Sequence, residues 1–220
     1  FDDIYETVQR AVLVAREELT PPHTYDVAWE LITPEQFKEV ASQWLSGPGR
    51  LDLAFDTESF GPHEQPRQKD DTWVMFEMSD GTTNIAVSAL GTGWQSTLKE
   101  LLRDENIHWW MHNMAYDLQV LMSNGFTIPP LSRCHDTMAY ALGLTERMER
   151  TGLKAQARAH LNAPYYEQEL KEPCALHGNR HSWKKAPPCD CIWQGLAKYG
   201  CFDAYNTWHL SRILPRLVER

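Results

Sequence analysis

The chain has 220 residues, of which 42% are hydrophobic and 23% charged, and its formal net charge is −9. The length and composition indicate one large globular domain and exclude a disordered or collagen-like chain. Because the net charge is negative, the protein has no overall positive field that could attract nucleic acid. No apolar run reaches the roughly 20 residues that a membrane span needs, and the N-terminus lacks the pattern of a signal peptide. We therefore expect a soluble cytoplasmic protein.

The first part of the chain carries clear signals for helices and strands. Apolar residues at helical spacing predict a helix within residues 1–24, an appendage to a main domain over residues 25–220. Thr33, Pro34 and Gln36 form the N-cap, first-turn proline and capping box of a helix that ends at Gly47. The strands predicted here cover residues 25–32, 51–56, 74–78 and 82–88, the last two joined by a two-residue turn at Asp80 and Gly81.

Strands and helices continue to alternate in the second part, which indicates an α/β domain. A strand is predicted at residues 107–111. Asp136 is expected to cap the helix that begins at the next residue. The predicted helices cover residues 96–103, 115–122, 137–142, 153–161 and 193–217, and Pro215 is expected to shorten the last one. Residues 164–192 are polar and show no periodicity.

Acidic residues lie near the ends of several predicted elements. Asp56 and Glu58 follow a strand, and because strand side chains alternate, both carboxylates point to the same side. Two adjacent carboxylates repel each other unless a cation lies between them. Asp117 lies in the first turn of a helix, and Tyr199 and Asp203 share one face of the last helix.

Each acidic fragment also has a purely structural explanation. Acidic residues at the end of a strand are commonly exposed to solvent, which is the structural explanation for Asp56 and Glu58. An acid in the first turn, such as Asp117, is favoured by the helix dipole. Asp203 fits an ordinary amphipathic helix. A functional interpretation therefore depends on the order in which the fragments occur.

That order resembles a known family. Asp-x-Glu at 56–58, His-Asn-x3-Asp at 112–117 and Tyr-x3-Asp at 199–203 resemble the three motifs of the DnaQ-like 3′–5′ exonucleases, in the branch with tyrosine in the last motif. Residues 53–61, His135-Asp136-Thr137, Gly152-Leu153-Lys154 and 199–207 extend the resemblance over residues 25–218. The combination is most similar to the proofreading domain of family A DNA polymerases, in its phage form.

The resemblance implies a fold, a cofactor and a set of roles. The fold would be ribonuclease-H-like, with a mixed, mostly parallel five-stranded sheet flanked by helices. Two Mg²⁺ or Mn²⁺ ions would be bound, one by Asp56, Glu58 and Asp203 and the other by Asp56 and Asp117. Tyr199 would orient the attacking water, because a phenol is too weak an acid to serve as the base at neutral pH.

Other residues have a functional and a structural interpretation side by side. Asn113 is predicted to contact the terminal nucleotide, to cap the helix that follows, or to do both. Phe60 and Met114 are candidates for packing against the 3′-terminal base, and the hydrophobic core is the alternative place for both. Asp136 is interpreted as an N-cap and not as a further metal ligand.

A Cys/His-rich insertion within residues 164–192 forms a second constellation. Thiolates and imidazoles favour Zn²⁺, and a four-coordinate ion would stabilise a segment that has little apolar material. The alternative is a loop whose Cys and His residues are incidental. The candidate ligands are Cys174, Cys189 and Cys191 with either His177 or His181.

Together these features predict a metal-dependent 3′–5′ exonuclease that acts on single-stranded or frayed DNA ends and proofreads for a family A polymerase, in cis or in trans. One alternative is a ribonuclease D-like exoribonuclease. A second is a catalytically silent, zinc-stabilised module that binds nucleic acid or another partner.

The zinc interpretation predicts about one tightly held zinc ion per chain. Cys189→Ser should release that ion and lower the melting temperature, because the segment leads directly into the helix of Tyr199 and Asp203. Elemental analysis after dialysis against a weak chelator measures the zinc. A wild-type protein that contains no zinc and is nevertheless fully folded would contradict the interpretation.

Overall fold

A six-stranded mixed sheet lies at the centre of the fold. The computed structural model describes residues 27–60, 72–145, 150–167, 170 and 190–219. The strands are β1 (Glu30–Ile32), β2 (Leu51–Phe60), β3 (Thr72–Ser79), β4 (Asn84–Ser88), β5 (Ile107–Met111) and β6 (Cys134–Asp136). The helices are α1 (Pro34–Ser46), α2 (Gln95–Arg103), α3 (Met114–Ser123), α4 (Thr137–Thr145), α5 (Leu153–Leu161) and α6 (Asp190–Val218), with a 3₁₀ turn at Leu131–Arg133.

The strand order is β1-β4-β3-β2-β5-β6. Strand β3 runs antiparallel to β2 and β4, whereas the other pairs of neighbours are parallel. This arrangement confirms the predicted mixed, mostly parallel sheet of the ribonuclease-H-like fold.

Helices cover both faces of the sheet. Leu53 and Phe55 of β2 belong to the large core that also contains buried residues of α1, α2 and α3. Ala54, which points the opposite way, packs with Ala204 of α6. The alternation along β2 therefore separates a face covered by α1–α3 from a face covered by α6.

Helix α1 begins as its sequence predicts. The Thr33 hydroxyl accepts a hydrogen bond from the Gln36 amide, and the Gln36 side chain accepts one from the Thr33 amide. Pro34 occupies the first turn. The predicted capping box is confirmed.

Several local predictions were wrong. The sheet has six strands instead of five, because β6, which is too short to show a periodic pattern, pairs with β5. The predicted two-residue turn is a connection over residues 80–83, in which the Asp80 carboxylate accepts hydrogen bonds from the Thr82 and Thr83 amides. Helix α6 continues through Pro215 to Val218.

The predicted helix within residues 1–24 lies outside the described residues. Among the described residues, none of the helices is both long and apolar enough to span a membrane.

The turn after β3 yields a stability prediction. Gly81 has φ +91°, and a Cβ there would lie 2.5 Å from the Trp208 ring. Gly81→Ala should therefore lower the free energy of unfolding by about 2 kcal/mol or more, through backbone strain and overpacking. Urea denaturation measures the change.

Gly91→Ala is the matched control. Nothing lies within 4 Å of a Cβ built on Gly91, and its φ is not positive. The control should be neutral or slightly stabilising. Equal effects of the two substitutions would contradict the proposed clash.

Candidate active site

Three carboxylates converge at the carboxyl end of β2. Asp56 and Glu58 come from β2 and Asp203 from α6, and each offers an oxygen within 4.8 Å of the other two. Glu58 and Asp203 are almost fully buried. Within the described part of the chain, this is the one group of three or more acidic, His or Cys side chains close enough to share a metal ion.

The convergence follows from the sheet. Asp56 and Glu58 continue the alternation that turns Ala54 towards α6, so their side chains face the helix that carries Asp203. Asp203 lies one turn after Tyr199 on the same face. Asp56, Glu58, Tyr199 and Asp203 therefore line one cleft.

The fourth acid reaches the site from another direction. Asp117 lies in the first turn of α3, and its carboxylate accepts a 2.7 Å hydrogen bond from the Thr57 hydroxyl. Burial and the nearby charge of Asp56 raise the pKa of Asp117 well above its usual range. A cation between Asp117 and Asp56 would relieve this repulsion.

The start of α3 is held by Asp136. Its two carboxylate oxygens accept hydrogen bonds from the backbone amides of Asn113 and Met114, and one of them also accepts from the Met138 amide in α4. The predicted N-cap role of Asp136 is confirmed and extends to a second helix. Asn113 occupies the predicted N-cap position of α3 in a left-handed conformation, but its side chain makes no capping hydrogen bond.

Asp203 is held by two further side chains. Tyr166 donates a 2.5 Å hydrogen bond to one carboxylate oxygen, and Lys154 forms an ion pair with the other. The Lys154 ammonium also donates a 2.7 Å hydrogen bond to the Tyr199 hydroxyl. Burial and the charge of Asp203 raise the pKa of Tyr199 well above its usual value, so the phenol is protonated at neutral pH.

A fifth acid lies beneath the cluster. Glu77 of β3 pairs with Asp56 in the sheet and is completely buried. Neither of its carboxyl oxygens has a hydrogen-bond partner among the described residues. Burial, followed by the charges of Glu58 and Asp56, raises the pKa of Glu77 well above its usual range, which favours the neutral form of this acid.

A glycine makes room for this buried acid. A Cβ at Gly200 would overlap the carboxyl group of Glu77. Gly200 lies between Tyr199 and Asp203 on α6, so the contact fixes how closely the helix approaches the sheet at the site.

The acids open into a cleft of about 350 Å³. Asn113 and Tyr199 line it together with the four acids, and so do Tyr116 and His112. Burial and the positive charge of Lys154 lower the pKa of His112 to about 4, so the imidazole is neutral. The donor set consists of carboxylate oxygens, which suits Mg²⁺ or Mn²⁺ better than a soft metal.

The structure describes some of the other predicted site residues and not others. Met114 is partly buried and packs against the large core. Phe60 ends β2, but its side chain lies outside the described part, as does that of Cys191 at the start of α6. The other zinc candidates, Cys174, His177, His181 and Cys189, lie wholly outside the described residues.

Three residues contact or surround the acids without having been predicted to do so from the sequence. Lys154 stood in a motif segment without a role, and Tyr166 and Glu77 were not singled out. A tyrosine beside the Cys/His-rich segment has no distinctive spacing. An acid within an apolar strand is a visible anomaly, and Glu77 could have been found by that signal.

Comparison with known proteins identifies the family. Residues 30–219 match the 3′–5′ exonuclease family. The chain belongs to this family. The exonuclease resemblance predicted from the motifs is thus confirmed, and the acidic cluster agrees with the divalent metals that such exonucleases use. A search of curated protein sequences gave no significant match.

Solved structures show the same fold. Escherichia coli RNase D, an exoribonuclease involved in structured RNA processing, is 19% identical with a TM-score of 0.66, and the match covers 88% of this chain and 46% of RNase D. Brucella melitensis NrnC with bound Mg²⁺ is 23% identical with a TM-score of 0.58, covering 80% and 77%. Trypanosoma brucei RNase D in complex with RNA U12 is 16% identical with a TM-score of 0.63, covering 91% and 65%. The chain thus spans about half the length of E. coli RNase D.

The buried Glu77 yields a pH-dependent prediction. Its pKa is higher in the folded protein than in the unfolded chain, so the wild-type protein loses stability as the pH rises above the unfolded value towards the folded one. Glu77→Gln mimics the neutral acid and removes this loss. The variant should match wild type near pH 4 and become more stable by up to about 1.4 kcal/mol for each pH unit above about 4.5.

Thermal or urea unfolding in EDTA at several pH values measures the difference, since EDTA prevents bound metal from compensating the carboxylates. A stability difference that does not change with pH would contradict the raised pKa of Glu77.

Proposed function

We propose that this exonuclease removes nucleotides from the 3′ end of single-stranded or frayed DNA by a two-metal-ion mechanism. The observation that carries the proposal is the convergence of Asp56, Glu58 and Asp203 in one cleft, with Asp117 and Tyr199 beside them. All five positions that the motifs require are filled by the expected residue types. This completeness argues against a catalytically silent module.

The proposed metal ligands are the four acids. Asp56, Glu58 and Asp203 would hold one Mg²⁺ or Mn²⁺ ion, and Asp56 and Asp117 would hold a second. Bound divalent ions of this kind lower the pKa of an attacking water and stabilise the leaving oxygen of a phosphodiester. Burial, followed by the charge of Asp56, raises the pKa of Asp117, and a bound cation would offset both effects, which supports a site built for cations.

The chain's own side chains would position the reactants. The protonated phenol of Tyr199 would orient the attacking water by a hydrogen bond, as its place in the cleft next to Asp203 allows. The side chain of Asn113, which is not used as a helix cap, would contact the terminal nucleotide. Phe60 and Met114 remain candidates for contacting its base.

RNA is the second candidate substrate. Its support is that the structural neighbours include an exoribonuclease and an RNase D bound to RNA. Their identities are too low to transfer a substrate, so the 2′-hydroxyl must be tested directly. Proofreading during DNA replication, a family A polymerase partner in cis or in trans, a cytoplasmic location and the zinc site also remain proposals.

The two-metal assignment predicts the loss caused by one substitution. Asp56→Ala removes the ligand common to both ions, so turnover should fall by more than about a thousandfold while the binding of single strands persists. Rates are measured with Mg²⁺ or Mn²⁺ on 3′-labelled DNA and RNA oligomers of matched sequence. We expect the wild-type enzyme to prefer DNA.

Glu39→Ala, an exposed acid on α1, is the control and should leave the rate unchanged. A fully active Asp56→Ala enzyme would refute the metal assignment. Faster degradation of RNA by the wild type would replace DNA as the proposed substrate.

A further inference from the structure

Lys154 occupies a position that its own helix does not favour. It is the second residue of α5, where the positive end of the helix dipole disfavours a cation. Its side chain reaches into the catalytic cleft and is only 23% exposed. An interaction outside α5 must therefore stabilise the ammonium group.

That interaction is with the catalytic groups on α6. The ammonium donates a 2.7 Å hydrogen bond to the Tyr199 hydroxyl and forms an ion pair with Asp203. It also lies 4.4 Å from the centre of the Tyr199 ring. Burial alone would lower the pKa of Lys154, but the charge of Asp203 outweighs this effect and raises it, so the group is a cation at neutral pH.

The hydrogen bond restricts the direction of the phenol. Because Lys154 has donor hydrogens only, the Tyr199 oxygen must accept from it and cannot donate to it. The phenol hydrogen and the remaining lone pair are then directed elsewhere. An attacking water near Asp203 would meet a hydroxyl group whose orientation is already set.

Asp203 is shared in the same way. Tyr166 donates to one of its oxygens, and the Asn206 amide in turn donates a 3.1 Å hydrogen bond to the Tyr166 hydroxyl. Lys154 forms an ion pair with the other oxygen. A metal ion bound by Asp203 therefore has to share that carboxylate with the ammonium group.

We propose that Lys154 is a positioning residue of this exonuclease: it orients the Tyr199 hydroxyl towards the attacking water and competes with the metal ion for Asp203. The inference rests on the proposed function of Tyr199 and Asp203. Under this proposal, loss of Lys154 changes turnover through the Tyr199 hydroxyl. Loss of an ordinary structural ion pair would lower stability without acting through that hydroxyl.

The test is a double-mutant cycle of Lys154→Met and Tyr199→Phe, with Lys38→Met on the exposed side of α1 as the control. Lys154→Met should lower kcat by about 10- to 100-fold and change KM by less than about threefold. In the Tyr199→Phe background the same substitution should lower kcat by less than about threefold.

Metal binding gives a second readout that does not depend on activity. Mn²⁺ binding without nucleic acid, measured by calorimetry or electron paramagnetic resonance, should be as tight in Lys154→Met as in wild type or tighter, because a competitor has been removed. Melting temperatures in Mg²⁺ establish that each variant is folded, and Lys154→Gln repeats the cycle if Lys154→Met melts below the assay temperature.

Three results would overturn the inference. They are wild-type turnover in Lys154→Met, effects of the two substitutions that multiply, and weakened Mn²⁺ binding in a folded Lys154 variant. A wild-type enzyme without activity on any oligomer would instead refute the proposed function. The two failures are therefore distinguishable.

Discussion

Electrostatic repulsion among closely spaced carboxylates determines how the strands and helices around the site must pack. Asp56, Glu58 and Asp203 lie within a few ångströms of one another, and Asp117 and Glu77 are close enough to respond to their charge. Such repulsion grows as water is excluded, so the arrangement persists only if the surrounding fold holds each side chain in place. Cations bound as proposed would relieve this repulsion.

Rigid elements supply that support from both faces of the sheet. Strand β2 contributes two acids, α6 contributes one from one face, and α3 contributes one from the other. The raised pKa of Glu77 favours an uncharged group beneath the cluster, and the absence of a side chain at Gly200 lets α6 lie directly over it. The site thus depends as much on how α6 packs as on the ligands themselves.

The predictable features of the fold and site are those encoded by local spacing. Thr33, Pro34 and Gln36 specify the start of α1 within one turn, and the alternation of Asp56 and Glu58 and the four-residue interval from Tyr199 to Asp203 fix which side chains share a face. Features that require a partner distant in the sequence were missed. Strand β6 exists because β5 offers it an edge. The Asp80 carboxylate, which accepts from the Thr82 and Thr83 amides, also accepts a hydrogen bond from the distant Trp44 indole.

The same distinction explains the missed site residues. Lys154 becomes informative only when α5 is placed against α6, and Tyr166 only when its hydroxyl meets Asp203. Neither contact leaves a periodic signal. The three motifs predicted the right family because the family already specifies where each motif position lies in the fold. The packing of the residues between the motifs could not be derived from the sequence.

The double role of Asp136 links the reaction centre to the margin of the sheet. One carboxylate joins the beginnings of α3 and α4, so the backbone that presents Asp117 is anchored to a strand of only three residues. An isosteric asparagine has a single carbonyl acceptor and could not reproduce the bonds made by both oxygens. A substitution at Asp136 in this peripheral strand would therefore disturb Asp117, which lies 19 positions upstream, so the sequence of β6 is constrained by a site that it does not line.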